Sequence, residues 1–188
     1  MGLSPATVRR HLDVLQRDNR VGFQEVHRSA GRPYYAFSLT EAGRESLGKD
    51  YARLAQWLVE GLSTLTPRDT QGKNGTDLLQ AVMYRAASGL NAAYGPRMHG
   101  KPFIGRVQEM AAILQQEGFS AEWEPSGAGY VMRSFNCPFH RVAQVNDNVC
   151  ALDLYLKHSA LLQAKAEREQ CLVSGDPSCT YRIQPETD

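Results

Sequence analysis

The sequence predicts a mixed α+β protein in two parts, a partial winged helix (a recognition helix and a β-wing) followed by a C-terminal α+β domain of hairpins and helices. Three observations carry this expectation. Apolar residues recur at helical spacing in some stretches and alternate in others. A polar, breaker-rich run from Thr66 to Gly75 reads as a linker between them. Basic residues gather near one end of the chain, whereas all four cysteines, Cys137, Cys150, Cys171 and Cys179, lie near the other.

Taken in order, Ser4-Pro5 opens the first helix, with serine as a cap and proline at the first helical position. This helix runs to about Asp18, with Val8, Leu12 and Leu15 on one face. Val21 to Val26 alternates as a strand, Ser29 to Pro33 turns, and Tyr34 to Leu39 forms the returning strand. Helix plus hairpin with a basic, glycine-containing tip is the order of a winged helix. Thr40 caps a short helix that breaks at Gly48. From Tyr51 to Leu65, apolar positions 51, 54, 58, 62 and 65 form a stripe that needs a partner surface, which makes this the candidate dimer helix, with core packing as the other reading. The first domain is therefore expected over residues 1–65 and the second over 76–188. In the second, helices are expected over 77–91 and 102–117, the latter closed by Gly118. Phe119 to Glu124 and Tyr130 to Phe135 form a hairpin. Helical segments follow to about Ala166, and strands over 168–173 and 179–183 flank a Gly175-Asp176-Pro177 turn.

Composition narrows the function. The 188 residues are 42% hydrophobic and 22% charged, enough to bury a core and too apolar for a disordered chain. No apolar run approaches the roughly 20 residues of a membrane span, and the first residues hold no secretory h-region. A cytoplasmic protein with reduced cysteines is expected, with no membrane partner. A net charge of +1 excludes a uniformly basic nucleic-acid coat. There is no phosphate-binding Gly-Lys loop, His-Glu-x-x-His motif or nucleophile elbow, so an enzyme is not expected.

Local clustering is another matter. Arg9, Arg10, Arg17, Arg20, Arg28 and Arg32 face only Asp13, Asp18 and Glu25 in the first 35 residues. A helix that enters the major groove of double-stranded DNA needs short polar and basic side chains near its N-terminus, supplied by Ser4, Thr7, Arg9, Arg10 and His11. Arg28 and Arg32 flank Gly31 where a wing would meet phosphates. A solvated basic helix beside a surface hairpin is the bland alternative. Winged-helix domains carry about two more helices before this turn, so those helices are expected to be missing here, leaving Val8, Leu12 and Leu15 under-packed.

The cysteine intervals are x12, x20 and x7, with no Cys-x-x-Cys knuckle, which disfavours a structural zinc ribbon. Cys171 and Cys179 lie on two arms of one predicted hairpin, Cys137 precedes Pro138 at a strand end, and Cys150 opens a helix. Four soft thiolates from separate elements suit an iron–sulfur cluster. Buried cysteines acting as small hydrophobes, disulfides, and a metal-free Cys171/Cys179 redox switch compete with it.

The run Gly2-Leu3-Ser4-Pro5-Ala6-Thr7-Val8-Arg9-Arg10-His11-Leu12, with Gly31-Arg32-Pro33, Tyr35 and Leu39-Thr40-Glu41-Ala42-Gly43, resembles the recognition helix and wing of winged helix-turn-helix repressors. Asn136-Cys137-Pro138-Phe139, Val149-Cys150-Ala151-Leu152-Asp153 and the stretch Cys171 to Ile183 resemble the C-terminal half of the Suf-operon repressor family. The resemblance implies a dimeric, DNA-binding transcriptional regulator whose cysteines hold an iron–sulfur cluster. The first cysteine interval and the overall span match the family pattern, but the third cysteine stands at 171, and Ala164 occupies the family position. The C-terminal Gly-Asp turn is also similar to small-ligand domains of the vinyl-reductase type, so a sensor of an apolar ligand, or a thiol or zinc switch, remains the alternative.

Overall fold

A computed structural model describes residues 2–29, 31–150 and 164–185. The chain divides into two compact units, Met1–Gly48 and Lys49–Asp188. The first contains α1 (Pro5–Arg17), β1 (Val21–Val26), β2 (Tyr34–Leu39) and α2 (Glu41–Ser46). Ser4 caps α1 by accepting the Thr7 N–H, and Pro5 follows it at the first helical position. The two strands pair antiparallel from Val21 opposite Leu39 to Val26 opposite Tyr34. Thr40 ties this small body together. Its N–H donates to the Arg20 carbonyl and its hydroxyl to that of Asn19, while the same hydroxyl accepts from Gly43 N–H to cap α2. Of the expected apolar face of α1, Val8 and Leu15 are exposed and Leu12 is half-buried, and the helix buries no residue. Phe23, Tyr35 and Phe37 form an equally exposed aromatic cluster on the hairpin.

The second unit runs α3 (Tyr51–Ser63), α4 (Pro67–Thr70), α5 (Gly75–Tyr94), α6 (Phe103–Gln116), β3 (Ala121–Ser126), β4 (Gly129–Ser134), α7 (His140–Val145), β5 (Ala164–Gln170) and β6 (Cys179–Pro185). The strands form one antiparallel sheet in the order β3-β4-β6-β5. Its core joins Met83 of α5, Val107, Met110, Ile113 and Leu114 of α6, Met132 of β4, and Tyr181 and Ile183 of β6, all essentially inaccessible to solvent. Leu54, Trp57 and Gly61 of α3 are buried, and Gly61 is required there: a Cβ would stand 2.7 Å from the Val82 carbonyl oxygen of α5. The stripe expected on this helix is therefore divided. Leu54 packs in the core and Leu58 and Leu65 against it, while Val59 and Leu62 lie on an exposed outer face.

The structure differs from expectation in three places. The stretch 66–75 contains α4 and joins two helices of the same unit, so α3 belongs with the C-terminal body and the division falls at Gly48/Lys49. The first strand of the β3–β4 hairpin begins at Ala121, because Gly118 and Phe119 complete the turn out of α6. Ala164 to Gln170, expected as helix up to Ala166 and as a strand over 168–173, is an edge strand paired with β6 that ends at Gln170, before Cys171 and the tight turn 172–174, with Ala164 and Ala166 facing inward and Lys165 and Glu167 outward. The helical reading of 151–163 lies outside the described residues.

α4 carries one sharp titration. The Asp69 carboxylate accepts from the Thr66 hydroxyl (2.7 Å), the Thr66 N–H (2.8 Å) and Arg85 of α5 (3.0 Å), and these bonds hold its carboxyl down at about 2. A carboxyl depressed by folding stabilises the protein above its unfolded value and loses that effect as pH falls from about 4 towards 2. Asp69→Asn is thus expected to lower Tm at neutral pH, with the two melting curves converging below about pH 2. A deficit of equal size at both pH values would show that the charge is not the cause.

Candidate functional site

In the first unit, Arg9, Arg10 and His11 project from the exposed surface of α1. Ser4 and Thr7 are engaged with each other, their hydroxyls 2.9 Å apart. Arg28 stacks over the Tyr34 ring at 4.8 Å, beside the turn that carries Arg32. Among the described residues, Arg9, Arg10, Arg28 and Arg32 make no ion pair. Arg17 of the same unit pairs with Asp18, and in the second unit Arg53, Arg85, Arg97, Arg133 and Arg182 are each paired with a carboxylate. The four arginines nominated from the sequence, like Arg20 and Arg68, have no ion pair with a carboxylate among the described residues.

In the second unit, Cys137, Cys150 and Cys179 line one cavity of about 20 Å3, with Phe119, Phe139 and Tyr181 in its wall. Each arrives from a different element. Cys179 begins the central strand β6, and Cys150 lies in a helical stretch starting at 148. Cys137 sits in the loop after β4, held by the buried Asn136, whose amide donates to the Gly118 carbonyl (2.8 Å) and whose oxygen accepts the Ser120 N–H. The Cys137 carbonyl accepts from the His140 N–H and from Lys49 Nζ, both at 3.2 Å. None of the four cysteines is in a disulfide.

Cys171 is buried but does not line that cavity. It precedes the tight turn 172–174, which Gly175 closes at φ 92°. Asp176 fixes this loop by accepting the Cys171 N–H at 2.8 Å, and the Leu172 N–H points at Cys179 Sγ at 3.4 Å. Ala164, where the resemblance given above would place the third cysteine, pairs with Pro185 at the far end of β6 from Cys179. Six residues of strand separate those ends by roughly 20 Å, so position 171 is the one that stays with the other cysteines.

Two features had no sequence signal. Arg168 stands opposite Tyr181 in the β5–β6 register. Burial works against its charge, but Tyr181, Cys171 and Cys150 outweigh that and hold the guanidinium above its ordinary value. Ser134, last residue of β4, pairs with Cys179 and lines the same cavity. It is 1% exposed, and its hydroxyl has no hydrogen-bond partner among the described residues.

No Asp, Glu or His is among the described residues that line the cavity. Nor do three His, Cys, Asp or Glu side chains among the described residues converge as a site for a metal ion. No described helix is long and apolar enough to cross a membrane. No protein-family model matches the chain, and neither a curated protein nor a solved structure matches it.

Proposed function

We propose that the chain is a DNA-binding transcriptional regulator of the winged-helix type, acting as a homodimer, whose C-terminal cysteines hold an iron–sulfur cluster. The observation that carries this reading is the meeting of Cys137, Cys150 and Cys179 at one apolar cavity. The donor type, soft thiols without carboxylates, suits iron–sulfur chemistry rather than a hard ion, although as placed the described side chains do not converge on a metal site. The Ser134 hydroxyl, without a partner among the described residues, adds a donor at that place. When bound, a cluster supplies a redox centre whose state follows oxidants and iron supply.

An apolar ligand is the competing occupant, and the cavity as it stands is too small for either. Small-molecule pockets measure about 300 Å3 or more, far above this cavity. Opening it costs packing that apolar contact alone must repay. Thiolate–metal bonds, worth on the order of 10 kcal/mol in structural sites, offset such a rearrangement.

The chain's own residues offer a route from cavity to DNA. Lys49 directly follows the first unit and donates to the Cys137 carbonyl, while Phe139 packs edge-on against Trp57 of α3 with ring centroids 5.5 Å apart. A change at the Cys137–Phe139 loop therefore acts on the segment that joins the units and on α3, whose exposed Val59 and Leu62 are the apolar surface a second copy would cover. Arg9 and Arg10 on α1, unpaired among the described residues, with Arg28 and Arg32 on the hairpin, supply the cations for phosphate and base contact.

The test is purification without oxygen, with iron and acid-labile sulfide assayed on the protein whose visible spectrum is recorded. A brown protein that bleaches in air is the expected result. A colourless protein with no iron overturns the cluster and leaves a thiol or ligand switch.

A further inference from the structure

We propose that the hairpin of the first unit is an interaction surface for a second copy of this chain, the aromatic faces of β1 and β2 from two copies packing against each other about a two-fold axis. This rests on the homodimer reading above and says which surface closes it. Residues opposite one another in an antiparallel pair point to the same side of the sheet, so Val21, Phe23 and Glu25 share a face with Leu39, Phe37 and Tyr35. All but Glu25 are apolar. A sheet with one apolar face needs a second layer over it, and a lone two-stranded hairpin is marginal in water. Val21 and Leu39, at one end of the face, are largely covered. With every described residue in place, however, Phe23 is 47%, Tyr35 58% and Phe37 41% exposed. Their rings already form one surface, with Phe23 lying 5.0 Å from Tyr35 and 5.9 Å from Phe37 between centroids.

The area and the charge decide the kind of partner. An aromatic side chain carries about 200 Å2, so at those exposures the three leave about 300 Å2 open. Val8 and Leu15 of α1, both two-fifths exposed, bring the open apolar surface of the unit to about 400 Å2. A stable interface takes about 600–1,000 Å2 from each partner, about 60% of it apolar, which is about 400–600 Å2. A second copy brings a surface of the same chemistry and size, and a two-fold axis sets Phe23, Tyr35 and Phe37 against their own counterparts. The one charge on the face is the Glu25 carboxylate. It repels a phosphate backbone, so nucleic acid is not the occupant this face selects. Covering the apolar side also leaves the basic side of α1 open, because Arg9 and Arg10 follow Val8 by about 100° and 200° around the helix.

Sedimentation equilibrium of the full-length chain without DNA tests this. Wild type is expected to dimerise, and Phe23→Ser and Tyr35→Ser each to raise the dissociation constant about thirtyfold, the scale of an aromatic anchor at an interface centre. Leu62→Ser, on the outer face of α3, is expected to raise it by a smaller factor. Amide hydrogen exchange of the wild type gives a reading that needs no variant. Protection of β1 and β2 is expected to fall on dilution through the dissociation constant, while that of α5 and α6 stays level. Hairpin protection that ignores dilution overturns this surface, as do hairpin variants that dimerise like wild type while Leu62→Ser dissociates; in both cases the homodimer stands. Hairpin variants that keep the dimer but lose binding to a fluorescein-labelled oligothymidylate give the face to unpaired bases and equally overturn the proposal. A wild type that is monomeric throughout overturns the homodimer and this inference together.

Discussion

Replacing Cys137, Cys150 or Cys179 singly by serine is expected to abolish uptake of iron and sulfide on anaerobic reconstitution, whereas Cys171→Ser is expected to leave a cluster that forms and decays faster. The ranking follows from position. The first three side chains line one cavity, and each is delivered by a separate element, so no neighbour on the same element can replace a lost sulfur. Cys171 is buried one residue outside that wall, with its N–H bound to Asp176 and its loop closed on Cys179 through Leu172. Iron and sulfide assays on the four variants read the order directly. Loss confined to Cys171→Ser, with the other three loading normally, would place the centre elsewhere. Four variants that load like wild type would remove the cysteines from cofactor binding altogether, and the apo folds can be compared by circular dichroism to separate misfolding from ligand loss.

How much of this was legible in the residues depends on whether the signal was local. Caps and turns were: Ser4-Pro5 starts α1, Thr40 caps α2, and the alternation of Val21–Val26 and Tyr34–Leu39 marks a paired hairpin. The start of the edge strand β5, Ala164 to Ala166, reads as helix because Ala-Lys-Ala-Glu is made of strong helix formers, and intrinsic preference yields when β6 offers a pairing edge. Its period-two burial, Ala164 and Ala166 in and Lys165 and Glu167 out, was the signal that outranked composition. The stripe on α3 was visible as spacing, but spacing cannot say which of two apolar faces meets its own subunit. Leu54 and Trp57 turned inward and Val59 and Leu62 outward because Gly61 lets α5 approach on one side only. At the site, the cysteines announced themselves by residue type. Ser134 and Arg168 did not, since a serine becomes informative only once its hydroxyl is shown to lack a partner, and an arginine only once its neighbours across the sheet are known.

The other large effect lies in the first unit. Arg9→Ala combined with Arg10→Ala is expected to weaken binding to random-sequence duplex DNA by about tenfold per arginine and to flatten its salt dependence. Both side chains stand on the exposed surface of a helix that buries nothing, and neither is neutralised by a carboxylate among the described residues. Removing them therefore costs the fold little, and their charge is available to phosphates. Each phosphate contact contributes about 0.9 to the slope of log affinity against log salt, so losing two should reduce the slope by about 1.8. The comparison that isolates the mechanism is Arg53→Ala. That guanidinium is committed to Glu117 at 3.2 Å on the buried side of α3, so its loss should lower stability and leave the salt slope unchanged. Fluorescence anisotropy over a salt series measures both slopes. If the Arg9/Arg10 pair binds duplex with the wild-type slope, α1 is a solvated basic helix and the DNA-binding reading falls with it. If the slope drops only for that pair, the cations of α1 meet the phosphate backbone, and the search for a preferred sequence can begin from side chains on that face of the helix.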